Sequence, residues 1–246
     1  MKNLNSTIVF LILILAGISG YSQITSSQEL INDTQSVSSF DYRNKDLVGS
    51  NYIDENFLSA KLNIDEIIYS MRYDAYQDEM EIEKDGNTFY LRKGFNYQIT
   101  FLDKNKIYQV YNYQENEKLN NGFFVVLYNG DKVSLLLQEK IKFYEEKQAK
   151  TGYDKYEPPK LKREKDKMFI GYKNNASKEL PKKKKDILKL FSSKSKIMEL
   201  FAKENKLGFK KPEDLVKIFS YYNSLKYFFT KATQNNKILS LKTTQN

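Results

Sequence analysis

Residues 71–94 read MRYDAYQDEMEIEKDGNTFYLRKG, with three tyrosines, three glutamates and three aspartates set around one Asp-Gly pair. Asp85-Gly86 supplies the two positive φ angles that a two-residue type I′ turn requires. Such a turn places Lys84 opposite Asn87, Glu83 opposite Thr88, Ile82 opposite Phe89, Glu81 opposite Tyr90, Met80 opposite Leu91 and Glu79 opposite Arg92. Side chains alternate faces along a strand, so this register gathers Met80, Ile82, Phe89 and Leu91 on one side. Each apolar side chain contributes about 1.5–3 kcal/mol on burial, and an exposed Glu79–Arg92 pair contributes about 0–1 kcal/mol. The apolar face therefore sets the register, and Glu79, Glu81 and Glu83 are expected on the solvent side. Calcium loops turn tightly around their oxygen ligands, whereas a strand splays alternate carboxylates in a row. The row on solvent is the preferred reading over a calcium site built from Asp74, Asp78, Glu79, Glu81 and Glu83.

Working outward, residues 50 to 145 keep a two-residue period. "IIYSMRY" carries Tyr69, Met71 and Tyr73 in phase, and "FNYQITFL" carries Tyr97, Ile99 and Phe101 in phase. "NNGFFVVLYNGDKVSLLLQ" is apolar on both faces, the mark of a strand pair covered on both sides. A two-residue turn at Asn129-Gly130 would set Val126 against Val133 and Phe124 against Leu135. The pattern predicts an α+β chain: an antiparallel meander of six to eight strands, barrel- or sandwich-like, over 49–180, followed by three short helices. A charged stretch at 145–167 with Pro158-Pro159 reads as a linker or excursion, and a short hairpin is expected around Asn174-Asn175.

After Pro181 the period becomes helical. Ile187, Leu188 and Phe191 share a face, as do Ile197, Leu200 and Phe201, and then Leu215, Ile218, Phe219 and Tyr222. Helices this short are not stable alone, so the basic segment 181–229 must pack on itself or on the sheet. Flanking regions are read as a signal peptide over 1–22, a flexible leader over 23–48 and a flexible tail over 230–246. The signal peptide follows from Lys2, an apolar run at residues 8–18 and the small pair Gly20 and Ser22. An exported protein, periplasmic or extracellular, with association to the outer membrane as a further option and no spanning segment in its mature chain, is the resulting expectation.

Cysteine, histidine and tryptophan are absent. Disulfides, thiolate or histidine catalysis and imidazole-ligated metals are thereby excluded. The charge is uneven: residues 23–150 hold 15 basic against 21 acidic side chains, and residues 151–246 hold 24 against 10. Attraction between the halves is the simplest consequence, and an anionic partner is the next.

The stretches "GSNYIDENFLSAKL", "RYDAYQDEMEIE", "AKTGYDKYEPPK" and "KKKKDILKLF…KPEDLVKIFSYYNSL" resemble, in that order, a group of secreted Bacteroidetes proteins of unassigned function. The resemblance spans about residues 49 to 225. It implies a Gram-negative envelope and export, and it transfers no functional residue.

For function, the reading is a non-catalytic envelope protein, a binding or structural module whose partner is an unknown envelope component. Its β alternation would also suit an edge that accepts a partner's strand. The alternative is a binder of anionic lipid or polysaccharide through Lys182, Lys183, Lys184 and Lys185, weighed against a solvated helix start or a contact to the acidic sheet. A carboxylate-based hydrolase is the second alternative, since it needs two acids across a cleft and nothing in the sequence faces two together. No catalytic, cofactor or metal residue is assigned. Nucleic acid is set aside because the tyrosines fall mainly in the acidic half.

Overall fold

The structure is a computed structural model that describes residues 31–35, 46–94, 97–131, 133–149, 155–172 and 175–225. The expected signal peptide and flexible tail lie outside these residues. The architecture is mainly antiparallel β with helices at the C-terminal end, as the periodicity predicts. The strand count is higher than expected. Among the described residues, eleven strands form one sheet: β1 (Ile31–Gln35), β2 (Leu58–Leu62), β3 (Ile68–Asp74), β4 (Glu79–Lys84), β5 (Asn87–Leu91), β6 (Ile99–Phe101), β7 (Lys106–Glu115), β8 (Lys118–Tyr128), β9 (Val133–Gln138), β12 (Lys167–Tyr172) and β13 (Lys178–Glu179). A separate hairpin pairs β10 (Ile141–Tyr144) with β11 (Lys160–Arg163).

Two regions read as irregular contain strands. Ile31–Gln35, inside the expected flexible leader, pairs with β5 at the sheet edge. The expected linker at 145–167 contains the return strand of the β10–β11 hairpin, Lys160–Arg163. Charged strands such as Lys160–Arg163 escape a reading based on apolar alternation.

The sheet consists of two meanders placed back to back. Its order is β1-β5-β4-β3-β2-β6-β7-β8-β9-β12-β13, so the chain returns from β5 to lay β6 on the free side of β2. The Asp85-Gly86 hairpin is formed in the predicted register, with Lys84 opposite Asn87, Glu83 opposite Thr88, Ile82 opposite Phe89 and Glu81 opposite Tyr90. Asp85 and Gly86 have φ of 51° and 72°. The sheet is also curled. Tyr73 of β3 and Tyr108 of β7 have ring centroids 5.0 Å apart, although β2 and β6 lie between their strands. Flat strands spaced about 4.8 Å apart would hold them roughly 14 Å apart. The inside of this curl is a core built on Met71, Met80, Ile82, Leu91, Tyr97, Ile99, Phe101 and Phe123.

The second hairpin departs from expectation. Val125 pairs with Leu137, Val126 with Leu136 and Tyr128 with Leu135, with a bulge between Val126 and Tyr128. Gly130 does not adopt a left-handed φ, so Asn129-Gly130 is not a type I′ turn. A Cβ at Gly130 would lie 2.6 Å from the Val133 carbonyl oxygen and 2.7 Å from the Asn223 side chain. The glycine serves close helix packing rather than a tight turn. A hairpin without an obvious signal joins β7 to β8 through Asn116 and Glu117, both at positive φ (49° and 65°).

Three helices follow: α1 (Lys184–Leu190), α2 (Ser195–Glu204) and α3 (212–225), with a 3₁₀ turn at Ser192–Lys194 between the first two. They dock on the sheet through a second core in which Val133, Leu135 and Ile170 meet Ile187, Leu188, Phe191, Met198, Leu215, Ile218 and Phe219. The expected inner faces of α1 and α3 are buried at Ile187, Leu188, Phe191, Leu215, Ile218 and Phe219, and Tyr222 is half-buried. The α2 face is rotated from the expectation: Met198 and Ala202 are buried, while Ile197 and Leu200 are exposed. Met and Ala weigh less in a hydrophobic pattern than Ile and Leu, so the pattern favoured the opposite face.

Candidate functional site

The far end of the sheet closes on itself. β13 pairs with β12, and the residue before it, Ser177, makes a parallel bridge to Tyr113 of β7. The Ser177 N–H donates to the Asn112 carbonyl at 2.7 Å, and the Gln114 N–H donates to the Ser177 carbonyl at 3.0 Å. The ring β7-β8-β9-β12-β13 is therefore a small barrel. Its interior holds Tyr113, Phe124, Leu136 and Phe169, all buried, with Tyr111 and Val126 against them. Phe124 and Phe169 meet edge to face at 5.1 Å, and Tyr113 meets both, at 5.2 and 5.8 Å. Gly171 leaves the room that Tyr111 fills, since a Cβ there would come within 3.3 Å of the Tyr111 ring.

At the barrel mouth lies a cleft of about 870 Å³. Gln109, Tyr111 and Asn112 of β7, Asn129 and Asp131 of the β8–β9 turn, Ser134 of β9, Tyr172 of β12 and Asn175 line it. A chain of hydrogen bonds orders its floor. Gln98 Nε2 donates to Gln109 Oε1 at 2.9 Å, Tyr111 OH donates to the same oxygen at 3.3 Å, and Ser134 Oγ donates to Asn129 Oδ1 at 3.0 Å. Burial pushes the Tyr111 phenol above its usual pKa, so it stays a neutral donor at physiological pH. Asp131 is the one carboxylate or cation among the lining residues described. Among the described residues, the cleft thus offers planar amides, hydroxyls and aromatic rings, with Asp131 as its charged group.

The acidic row of the first hairpin is not uniformly wet. Glu83 is exposed, but Glu81 and Asp74 are buried. The expectation that the whole row faces solvent is corrected by residues 51–57, which cover that face. Glu81 accepts from Arg72 Nε at 2.7 Å and from the Tyr52 hydroxyl at 3.3 Å. The Arg72 guanidinium lies 3.7 Å from the Tyr52 ring centre and 4.3 Å from that of Phe57. Asp74 accepts from the Tyr76 and Gln77 amides at 2.9 and 2.8 Å, and from the Asn51 side chain. These contacts are those of a structural latch. Among the described residues, no group of three or more acids is placed to hold a metal ion.

Inside the curl, two tyrosine–acid pairs stand side by side. Tyr73 OH donates to Asp78 Oδ1 at 2.8 Å, and Tyr108 OH donates to Glu139. Asp78 also accepts from the Phe123 amide at 3.0 Å and from Lys93 at 3.1 Å. Glu139 is held by Lys106 and by Arg163, each at 2.7 Å. Burial, then the neighbouring carboxylates, drives both phenols well above their ordinary pKa. Desolvation raises the Asp78 carboxyl as well, against the pull of Lys93.

Lys182 to Lys185 sit exposed at the start of α1. Lys184 pairs with Glu199 of α2 at 2.7 Å rather than with the sheet. Attraction between the acidic and basic halves runs instead through Arg163 with Glu139 and Lys167 with Glu115. The cleft itself was not foreseen; its only trace in the sequence was the polar punctuation Asn112, Asn129, Asp131 and Asn175 inside and between apolar strands. No protein family, curated protein or solved structure matches the chain.

Proposed function

We propose that the chain is an exported, non-catalytic binding module whose ligand is an uncharged, polyhydroxylated molecule such as a neutral glycan, held in the cleft at the barrel mouth. The lining of that cleft carries the reading. Amides present a donor and an acceptor side by side, which matches pairs of sugar hydroxyls. Tyr111 and Tyr172 offer rings for the apolar faces of a pyranose. The hydrogen bonds among Gln98, Gln109, Tyr111, Ser134 and Asn129 hold the polar groups in place before the ligand arrives, which lowers the ordering cost of binding.

A non-catalytic role is supported by the disposition of the acids. Hydrolases that use carboxylates need two of them across the bond to be cleaved. The cleft lining has Asp131, and Asp78, Glu81 and Glu139 are engaged by cations and phenols elsewhere. Export rests on the character of residues 1–22 and agrees with the resemblance to secreted Bacteroidetes proteins. Calorimetric titration with a panel of neutral oligosaccharides tests the proposal. Saturable binding that Tyr172→Ala and Asn175→Ala weaken supports it. A complete absence of binding, or binding that both variants leave intact, refutes it.

A further inference from the structure

We propose that the outer face of the helical cap, centred on Leu200, is a docking surface for an anionic lipid bilayer. This rests on residues remote from the cleft and stands independently of the function proposed there. In α2 the buried residues Met198 and Ala202 define the inner side. At 100° per residue Leu200 points almost directly away from them, and it is 57% exposed. Ile197, also exposed, lies beside it. Lys196 and Lys203, one turn to either side of Leu200, are both exposed.

The start of α1 adds to the same region. The Lys184–Glu199 pair brings it against α2 immediately next to Leu200, and Lys184 also lies 5.7 Å from the centre of the Phe209 ring. Lys182, Lys183 and Lys185 are exposed and form no ion pair among the described residues. Residues 181–225 together carry 12 lysines against 5 acids.

The charge decides the occupant. Protein interfaces are depleted in lysine at their centres, whereas a bilayer bearing anionic headgroups attracts lysines without fixed geometry. The leucine and isoleucine enter the headgroup boundary, and the lysine stems lie along it with their ammonium groups at the phosphates. No helix among the described residues is long and apolar enough to cross a membrane.

The chain lacks tryptophan, so Leu200→Trp in the full chain gives a single fluorescent reporter at the centre of the face. Phosphatidylcholine vesicles with added phosphatidylglycerol should shift its emission to the blue, and phosphatidylcholine alone should not. Replacing Lys182, Lys183 and Lys185 by Gln in the same background should weaken partitioning about a hundredfold, at about fivefold per lysine. If that variant loses its helical circular dichroism, added salt on the parent replaces it, and partitioning must then fall steeply with ionic strength. The absence of a shift on anionic vesicles overturns the proposal, as does salt-independent partitioning or a shift that persists in the folded lysine variant. A blue shift that grows with protein concentration in the absence of lipid also overturns it, and identifies a second copy as the occupant.

Discussion

Ser177→Pro separates the closed barrel from an open sheet. Proline has no N–H, so the 2.7 Å bond to the Asn112 carbonyl is lost, and leaving that acceptor unpaired costs about 1–3 kcal/mol. The ring also restricts Ala176 before it and displaces the partner bond from Gln114. Once the seam parts, the edge-to-face contacts of Tyr113 with Phe124 and Phe169 weaken, at about 0.5–1.5 kcal/mol each. A total near 3–5 kcal/mol follows, or a fall in Tm of roughly 6–20 °C for a chain of this size. Ser177→Ala is the matched control. The buried Ser177 hydroxyl has no hydrogen-bond partner in the structure, so its removal should leave stability unchanged or raise it by about 1 kcal/mol, about 2–4 °C in Tm. Differential scanning calorimetry measures both, and hydrogen exchange at the Gln114 amide reports the seam directly. If the proline variant is as stable as the alanine variant, the bridge does not hold the barrel shut.

Other perturbations are expected as follows. Gly130→Ala forces a methyl group against the Val133 carbonyl and Asn223, so it should cost about 1–3 kcal/mol and loosen α3 first, seen as faster amide exchange over 215–223. Arg72→Met leaves the buried Glu81 uncompensated and should cost about 3–5 kcal/mol, while Arg72→Met with Glu81→Leu should recover much of that loss in urea unfolding. The raised Asp78 carboxyl binds its proton more tightly in the folded chain than in the unfolded one, so its contribution is fully present below the ordinary aspartate pKa and is lost as pH rises through the folded value. Asp78→Asn should flatten that segment of the stability–pH curve, and an unchanged curve would contradict the assignment. In the cleft, Tyr172→Ala and Asn175→Ala should each lower glycan affinity about tenfold, or about 1.4 kcal/mol; Asn175→Ala should do so without altering Tm by more than a few degrees, while Tyr172→Ala also lowers Tm because that ring packs on the second core.

The sequence was most legible where one physical signal dominated. At Asp85-Gly86 the turn chemistry and the apolar alternation agreed, and the register followed residue by residue. At Asn129-Gly130 a dipeptide with the same turn preference misled, because the glycine answers to a helix about ninety positions further along the chain. Local pattern contains no trace of that contact. Asn116-Glu117 escaped notice for the opposite reason, since glutamate seldom occupies the left-handed region. Glu81 illustrates a different limit: alternation correctly placed it on the face opposite Ile82, but which elements cover a face depends on chain segments outside the hairpin. The helices were located by their period, yet α2 turned its two strongest apolar residues outward. The candidate cleft was the least legible feature, because its residues come from β7, β9, β12 and two loops and converge only when the ring is formed.

That ring also imposes an order of events on the polypeptide. The β7–β8 hairpin is local and closes within microseconds by the general timescales of such units, but the seam joins Tyr113 to Ser177, a loop whose closure entropy comes due late. A nascent chain that stops short of Ser177 holds every strand of the first meander but cannot close the ring that walls the cleft. If the cleft takes the ligand proposed above, its capture waits for the last strand to arrive.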